Sequence, residues 1–398
     1  MKYLGTRKVV SVAATLAVTA SLMSCSDNES AAPDEVDLGL LVPLSGAFKD
    51  IGADAKDAFE TYLDVHDGQL GGRKVNVVVR DEGDGPETSL PSTEKLIAED
   101  EVDIIAGAVS SANYVGVAPV ASEAEVPLIG FGGQPDMTGM GIDFTWLWQS
   151  SFTSVQPGKA IAPYIAEHAP GPVYAIGPDY AGGYSVLDSF TEPFLDDGGE
   201  LANETDRAEW TKWPDTLDWT EYFHKIAESG AKSVFAYYAG APGIEFVKQY
   251  AQSEVKDLPL YGVFLTEGPN LAAEGAAAVG VQTVMNYSPD IDNAANRTFV
   301  SEWSGIHPDS QTSLFSMAGW DAALVLDKAI SRIPIGEEVT RAKINEAMGS
   351  LGTIDSSRGS WQFSADTHTP IQRWYLRTVD SDGPTLANVV IEDLDTVM

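Results

Sequence analysis

Short apolar runs alternate along this chain with stretches in which apolar residues recur at helical spacing. Residues 36–42 read as a first strand, and Ala55, Ala58, Phe59, Tyr62 and Leu63 mark one face of a helix between Ala53 and about His66. Residues 75–79 form the next strand, and Leu90, Leu96 and Ile97 mark a second helix. The run Asp103–Gly107 has the continuous apolar character of a strand buried on both faces. A helical stretch follows through Ala121, and Val126–Ile129 repeats the strand signal before Gly130–Gly133 breaks it. Further strands are predicted at 144–148, 172–176, 233–238, 260–263 and 280–287, and near the end at 361–363, 374–378 and 388–391. Helices are predicted at 154–168, up to about 194, at 218–228 with a capping-box-like start at Asp218, and at 244–251, 294–303, 315–330 and 340–348.

This alternation predicts an α/β protein of parallel sheets flanked by helices. More than ten strands is many for one open sheet, so the chain divides into two lobes. In such sheets ligands bind beyond the carboxyl ends of the strands. The residues just past predicted strand ends are Ser110 and Ser111, the loop Gly132–Gln134, Tyr180, Tyr237 and Tyr238, and Glu267. Ser110 and Ser111 open a helix, where free N–H groups and a partial positive charge suit a carboxylate, although Ser111 also fits a simple capping role.

The amino terminus adds an address. Lys2, Arg7 and Lys8 precede an apolar run from Val9 to Met23, which is a secretory signal and short for a membrane span. It ends in Leu22-Met-Ser-Cys25, which resembles a bacterial lipobox, and Cys25 is the single cysteine of the 398 residues. Residues 1–24 thus read as a signal peptide, with 25–35 a lipidated cysteine and polar tether. The expected location is the outer face of the cytoplasmic membrane, with membrane contact through the lipid alone. The formal charge is −35, from 59 acidic and 24 basic side chains, which disfavours nucleic acid and anionic surfaces as partners.

Chemistry of the catalytic kind is not apparent. The sequence has no phosphate loop, no Gly-x-Ser-x-Gly elbow and no His-Glu-x-x-His, and Gly130–Gly133 does not fit the dinucleotide fingerprint. The acidic turn Asp81–Gly85 lacks the calcium-loop order and reads as a solvated turn. Five scattered histidines read as surface residues, so neither cofactor nor metal is expected and the chain is not expected to be an enzyme.

Pro43–Gly46, Gly107–Ser111, Asp179–Gly182, Tyr237–Gly240, Phe264–Gly268 and Gly319–Ala322, in this order, resemble the branched-chain amino acid-binding proteins of ABC importers. The resemblance runs from Val36 to the C-terminus. It implies the type I periplasmic-binding-protein fold, two Rossmann-like parallel-sheet lobes joined by three crossing segments near 148–153, 284–287 and 365–372. The first lobe would comprise 36–150 and 288–366, the second 151–287 and 367–398. It further implies a monomer that serves permease and ATPase subunits and closes on a small carboxylate-bearing solute, an amino acid by preference. Ser110, Ser111, Gly132 and Gln134 would then lie at its carboxylate, Tyr180 and Tyr238 would close over it, and Glu267 would meet an α-ammonium. The sequence departs from the family at Gly132-Gly-Gln134, where Ala-Ala-Thr is frequent, and at Ile51, where the first loop often has an aromatic. Relatives similar around Leu265–Asn270 are linked to aromatic or other carboxylates, which is the alternative ligand class. The rival readings are a ligand-sensing lipoprotein without a transporter and a secreted α/β enzyme.

Overall fold

A computed structural model describes residues 35–398 except Thr138, Pro170, Asp206, Gly383 and Pro384. The signal peptide, Cys25 and all of the tether but Glu35 lie outside the described residues. The first half runs β1 (Glu35–Val42), α1 (Lys49–Val65), β2 (Gln69–Leu70), β3 (Arg73–Asp81), α2 (Pro86–Ala98), β4 (Ile104–Gly107), α3 (Ser111–Glu123), β5 (Leu128–Gly130), β6 (Gly133–Gln134), β7 (Leu147–Gln149) and β8 (Phe152–Thr153). Next come α4 (Gln156–His168), β9 (Val173–Pro178), α5 (Ala181–Asp196), β10 (Glu209–Thr211), α6 (Thr220–Ser229), β11 (Ser233–Tyr237), α7 (Gly240–Tyr250), β12 (Leu260–Val263), α8 (Pro269–Glu274) and β13 (Gln282–Met285). The chain finishes with α9 (Ala294–Ile306), α10 (Leu314–Ile330), α11 (Arg341–Gly349), β14 (Ile354–Ser356), β15 (Gly359–Phe363), β16 (Pro370–Asp382) and β17 (Thr385–Val397).

Two sheets result. The first has the order β2-β3-β1-β4-β5-β7 and is parallel apart from β2. The second has the order β10-β9-β11-β12-β13-β16-β15-β14, with β17 on β16. Its strands from β10 to β13 are parallel, and those from β16 onward are antiparallel. Helices cover both sheets, which is why Val36, Leu38, Leu40 and Leu41 are all fully buried. α1 buries Ile51, Ala55, Ala58, Phe59 and Tyr62 and packs along α10. Gly319 permits that approach, because a Cβ there would collide with the Ala55 carbonyl.

The structure departs from the sequence reading at several points. Residues 144–146 form a 3-10 turn, and the strand starts only at Leu147. Asp218 does not close a capping box on α6; its carboxylate accepts the amide and hydroxyl of Thr220. β14 and β15, which lie in the stretch expected in the first lobe, hydrogen-bond through β15 to β16 of the second sheet, while β14 packs on α9 and α10. The acidic turn after β3 is more than solvated. Asp81 accepts Leu44 N at 2.8 Å and Ser45 Oγ at 2.7 Å, and Asp84 accepts Ala47 N, so the two carboxylates fix the loop after β1. Two of the five histidines are half-buried, and His368 stacks flat on Trp148 at 3.8 Å.

Three short segments join the lobes, between β7 and β8, after β13 and before β16. Their meeting point is the Ser151 carbonyl. It accepts Asn286 Nδ2 at 3.0 Å, Gln372 Nε2 at 2.8 Å and Arg358 Nη1 at 2.7 Å. Asn286 and Gln372 also bond each other, and Gln372 bonds Gln156. Arg358 in turn pairs with the buried Asp321 at 3.3 Å. A buried carbonyl can accept more than one donor, and here its donors come from the other two crossings and the segment before β15.

Candidate functional site

The first wall of the cleft is the loop after β4 with the start of α3. Ala108 there has φ +59°, a left-handed backbone unusual for a residue with a side chain. Glu82, fully buried, holds this turn by accepting Val109 N and Ser110 N, each at 2.7 Å, and Asn113 Nδ2 at 3.1 Å. Burial pushes its carboxyl up to about 7, against the pull of those hydrogen bonds. Ser110, not Ser111, occupies the N-cap position of α3 and makes no side-chain cap, so the capping role read for Ser111 is not realised. Ser111 Oγ donates to Gly133 O at 2.7 Å and lies 3.2 Å from Ser154 Oγ. The first amides of α3 have no partner within the helix.

The second loop is tied to the first crossing. β6 pairs in parallel with β8, and Ser154 N donates to Gln134 O at 2.7 Å. A Cβ at Gly132 would strike the Val109 carbonyl, so glycine is what lets the two loops touch. Gln134 is buried beside them. The structure therefore brings Ser110, Ser111, Gly132 and Gln134 together on one side.

The opposite side is the start of α5. A Cβ placed on Gly182 would come within 2.8 Å of Tyr180 Oη and 2.9 Å of Ser111 Oγ. Thus Tyr180 and Ser111, from the two lobes, both approach Gly182, and α3 and α5 are neighbours there. Tyr180 Oη is 2.5 Å from Tyr237 Oη. Tyr180 also stacks on Trp213 at 5.0 Å, and Trp213 stacks on Phe48 at 5.0 Å. Phe48 belongs to the first lobe, three residues before Ile51, and supplies the first-loop aromatic that Ile51 does not. Beyond Tyr237 the rings continue through Phe264 at 5.5 Å to Phe315 and Phe152. Phe264 has φ +63°, and this second left-handed residue also follows a strand end.

Two expected residues sit elsewhere. Tyr238 points to the other face of the second sheet, packs on Trp219 and Phe246, and bonds Thr211 Oγ1 at 3.1 Å. Its neighbour Tyr237 takes the cleft-facing place, because side chains alternate along a strand. Glu267 is buried and forms an ion pair with Arg377. Its other oxygen accepts Leu314 N at 2.9 Å, at the start of α10 in the first lobe. Arg377 also donates to Tyr287 O and Thr283 Oγ1. With its charge already balanced, Glu267 does not offer an α-ammonium the free carboxylate that was expected. Close by, Ser313 Oγ donates to Asp54, which is buried on α1 against Gly268. Burial raises the Asp54 carboxyl to about 7, and Glu267 adds to the rise.

The cleft thus offers hydrogen-bond donors at one end and stacked rings along its length. Sequence reasoning missed Phe48, Trp213, Tyr237 and Asp54 as members of this interface. Among the described residues no group of three or more His, Cys, Asp or Glu could hold a metal ion. A separate groove of about 580 Å³ on the second lobe, between Tyr184, Asp188, Arg207 and Trp210, shares no residue with the cleft.

A model of the periplasmic binding protein family matches residues 35–384. The chain belongs to the periplasmic binding protein family. Among curated relatives, it is 27% identical over 388 residues to Leu/Ile/Val-binding protein homolog 6 of Brucella melitensis, covering 96% of this chain and 97% of the relative. Among solved structures, it is similar to an ABC transporter solute-binding protein from R. palustris in complex with benzoate. That match has 28% identity and a TM-score of 0.82, and it covers 91% of this chain and 97% of the other. A leucine-binding protein from Thermotoga maritima shares the fold at 18% identity, with a TM-score of 0.77 and coverage of 90% and 99%. This periplasmic binding protein therefore has the two-lobed type I architecture and is a solute-binding protein of the ABC importer class. Its family places it outside the cytoplasm.

Proposed function

We propose that this protein captures a small aromatic carboxylate of the benzoate type for an ABC importer. The observation that carries the ligand class is the wall of stacked rings, beside a Glu267 carboxylate already paired with Arg377 and an Asp54 carboxyl that burial raises to about 7 and that accepts Ser313 Oγ. The ligand's carboxylate would sit by the starts of α3 and α5, near Ser111 and Tyr180. Its ring would lie among Tyr180, Tyr237 and Phe264. Hydrogen bonds fix orientation, and ring burial supplies most of the remaining affinity. The benzoate complex of the R. palustris relative supports this reading. An amino acid is the second reading, favoured by the full-length likeness to a Leu/Ile/Val-binding homologue.

A thermal-shift screen of benzoates, hydroxybenzoates and branched-chain amino acids tests the choice. A ligand at 100 times its dissociation constant adds about 2.7 kcal/mol of stability. Stabilisation by benzoates alone supports the proposal, and stabilisation by amino acids alone overturns it. Delivery would pass through permease and ATPase subunits, with the binding protein held to the membrane by a lipid on Cys25. In cell fractionation, Cys25→Ala should leave the protein unattached to membranes or unprocessed, and unchanged attachment would contradict the anchor.

A further inference from the structure

We propose that Tyr237 is a positioning residue for anion capture, its hydroxyl holding that of Tyr180 so that one phenolic proton remains to meet the ligand's carboxylate. This deepens the carboxylate reading of the cleft and rests on it. Two hydroxyls bring two protons to the 2.5 Å contact, and the contact uses one. Among the described residues neither oxygen has another hydrogen-bond partner. Tyr237 is only 3% exposed, with its ring between Tyr180 and Phe264, so its hydroxyl cannot turn to water. Tyr180 is half-buried and lies on the cleft side of the pair, and an O–H left without an acceptor there is unfavourable until a carboxylate oxygen accepts it.

The place of the spare proton follows from Gly182. Tyr180 Oη and Ser111 Oγ both lie within 3 Å of where a Cβ on Gly182 would be. The Tyr180 hydroxyl therefore lies against the start of α5, on the side where Ser111 of the first lobe approaches. Burial raises both phenols above their usual range, so both stay protonated and the pair can donate at any physiological pH. Packing alone would need only the Tyr237 ring. The adjacent Tyr238 shows the alternative, a hydroxyl satisfied within its own lobe by Thr211.

The test is calorimetric titration of the parent, Tyr180→Phe, Tyr237→Phe and the double variant with benzoate and with benzamide, which keeps the shape and lacks the charge. Leucine and leucinamide form a parallel pair. Phenylalanine preserves both rings, and unchanged melting temperatures would confirm the fold. Tyr237→Phe should weaken the carboxylate about tenfold or more, in line with a lost hydrogen bond to a charged group. It should weaken amide binding by only about two- to fivefold, because the amide carbonyl still accepts a hydrogen bond but carries no charge. The double variant should be no weaker than the worse single one, because the two hydroxyls act as one donor. Equal losses for acid and amide, additive losses in the double variant, or an unchanged carboxylate affinity in Tyr237→Phe would each overturn the role of Tyr237 alone. A parent that binds neither benzoate nor leucine would overturn the carboxylate reading and this inference together.

Discussion

Two neighbouring tyrosines show how much turns on a single residue. Tyr237 and Tyr238 are both aromatic, both buried and both at a strand end, yet one reaches the cleft and the other fills the far face of its sheet. The sequence supplies the alternation but not which face is the cleft, because aromatic residues line both. Glu267 is a different case. Its position past a strand end was legible, but its partner Arg377 is 110 residues away and leaves no local signal. The pair is buried on both sides, so removing one charge strands the other in a medium that solvates it poorly. Glu267→Gln should therefore destabilise the protein by about 3 to 5 kcal/mol, the range for breaking a buried pair. Urea unfolding checks this, and a loss below about 1 kcal/mol, the level of an exposed pair, would contradict the burial argument.

At the scale of elements, the parallel strands and the long helices were readable because each buries a continuous or periodic apolar face. What escaped was held by polar side chains or was too short to show a period. β10 has three residues, and β6 and β8 have two each. The final hairpin was seen only in part, at 374–378 and 388–391, because charged residues such as Arg373 and Asp393 interrupt its apolar pattern. The crossing segments were placed by resemblance, whereas the Ser151 hub had no sequence signature, since Asn286, Gln372 and Arg358 are distant and non-periodic. Hinge closure needs segments that absorb rotation, and cross-links on one carbonyl limit which rotations are allowed. Replacing Asn286 by Ala removes donors from this hub without touching the cleft rings. Small-angle scattering of Asn286→Ala should show a larger radius of gyration than the parent without ligand, reduced to the parent's value by saturating ligand. An identical pair of profiles would remove the hub from any part in lobe closure.

For the whole molecule, charge and burial act together. Burial raises the carboxyls of Asp54 and Glu82 from their ordinary values to about 7, and that of Glu274 to about 9. The folded protein then binds more protons than the unfolded chain from about pH 4 up to about 7 for Asp54 and Glu82 and up to about 9 for Glu274, so these groups favour folding at low pH and lose that contribution as pH rises through those values. The formal charge of −35 acts in the same direction through self-repulsion. Asp81, whose loop hydrogen bonds lower its pKa, opposes the trend only near and below the usual carboxylate range. The melting temperature should therefore be higher at pH 5.5 than at pH 8, and Asp54→Asn should flatten the difference; a melting temperature that climbs from 5.5 to 8 would contradict these assignments. The proposed function requires the two lobes to close on an aromatic carboxylate without calling on Glu267 for a cation. Competitive calorimetric titration of one preparation with benzoate and leucine is the most direct measurement of it. The expected outcome is saturable one-to-one binding of benzoate that leucine in large excess fails to displace. Tight binding of leucine, with benzoate unable to compete, would contradict it.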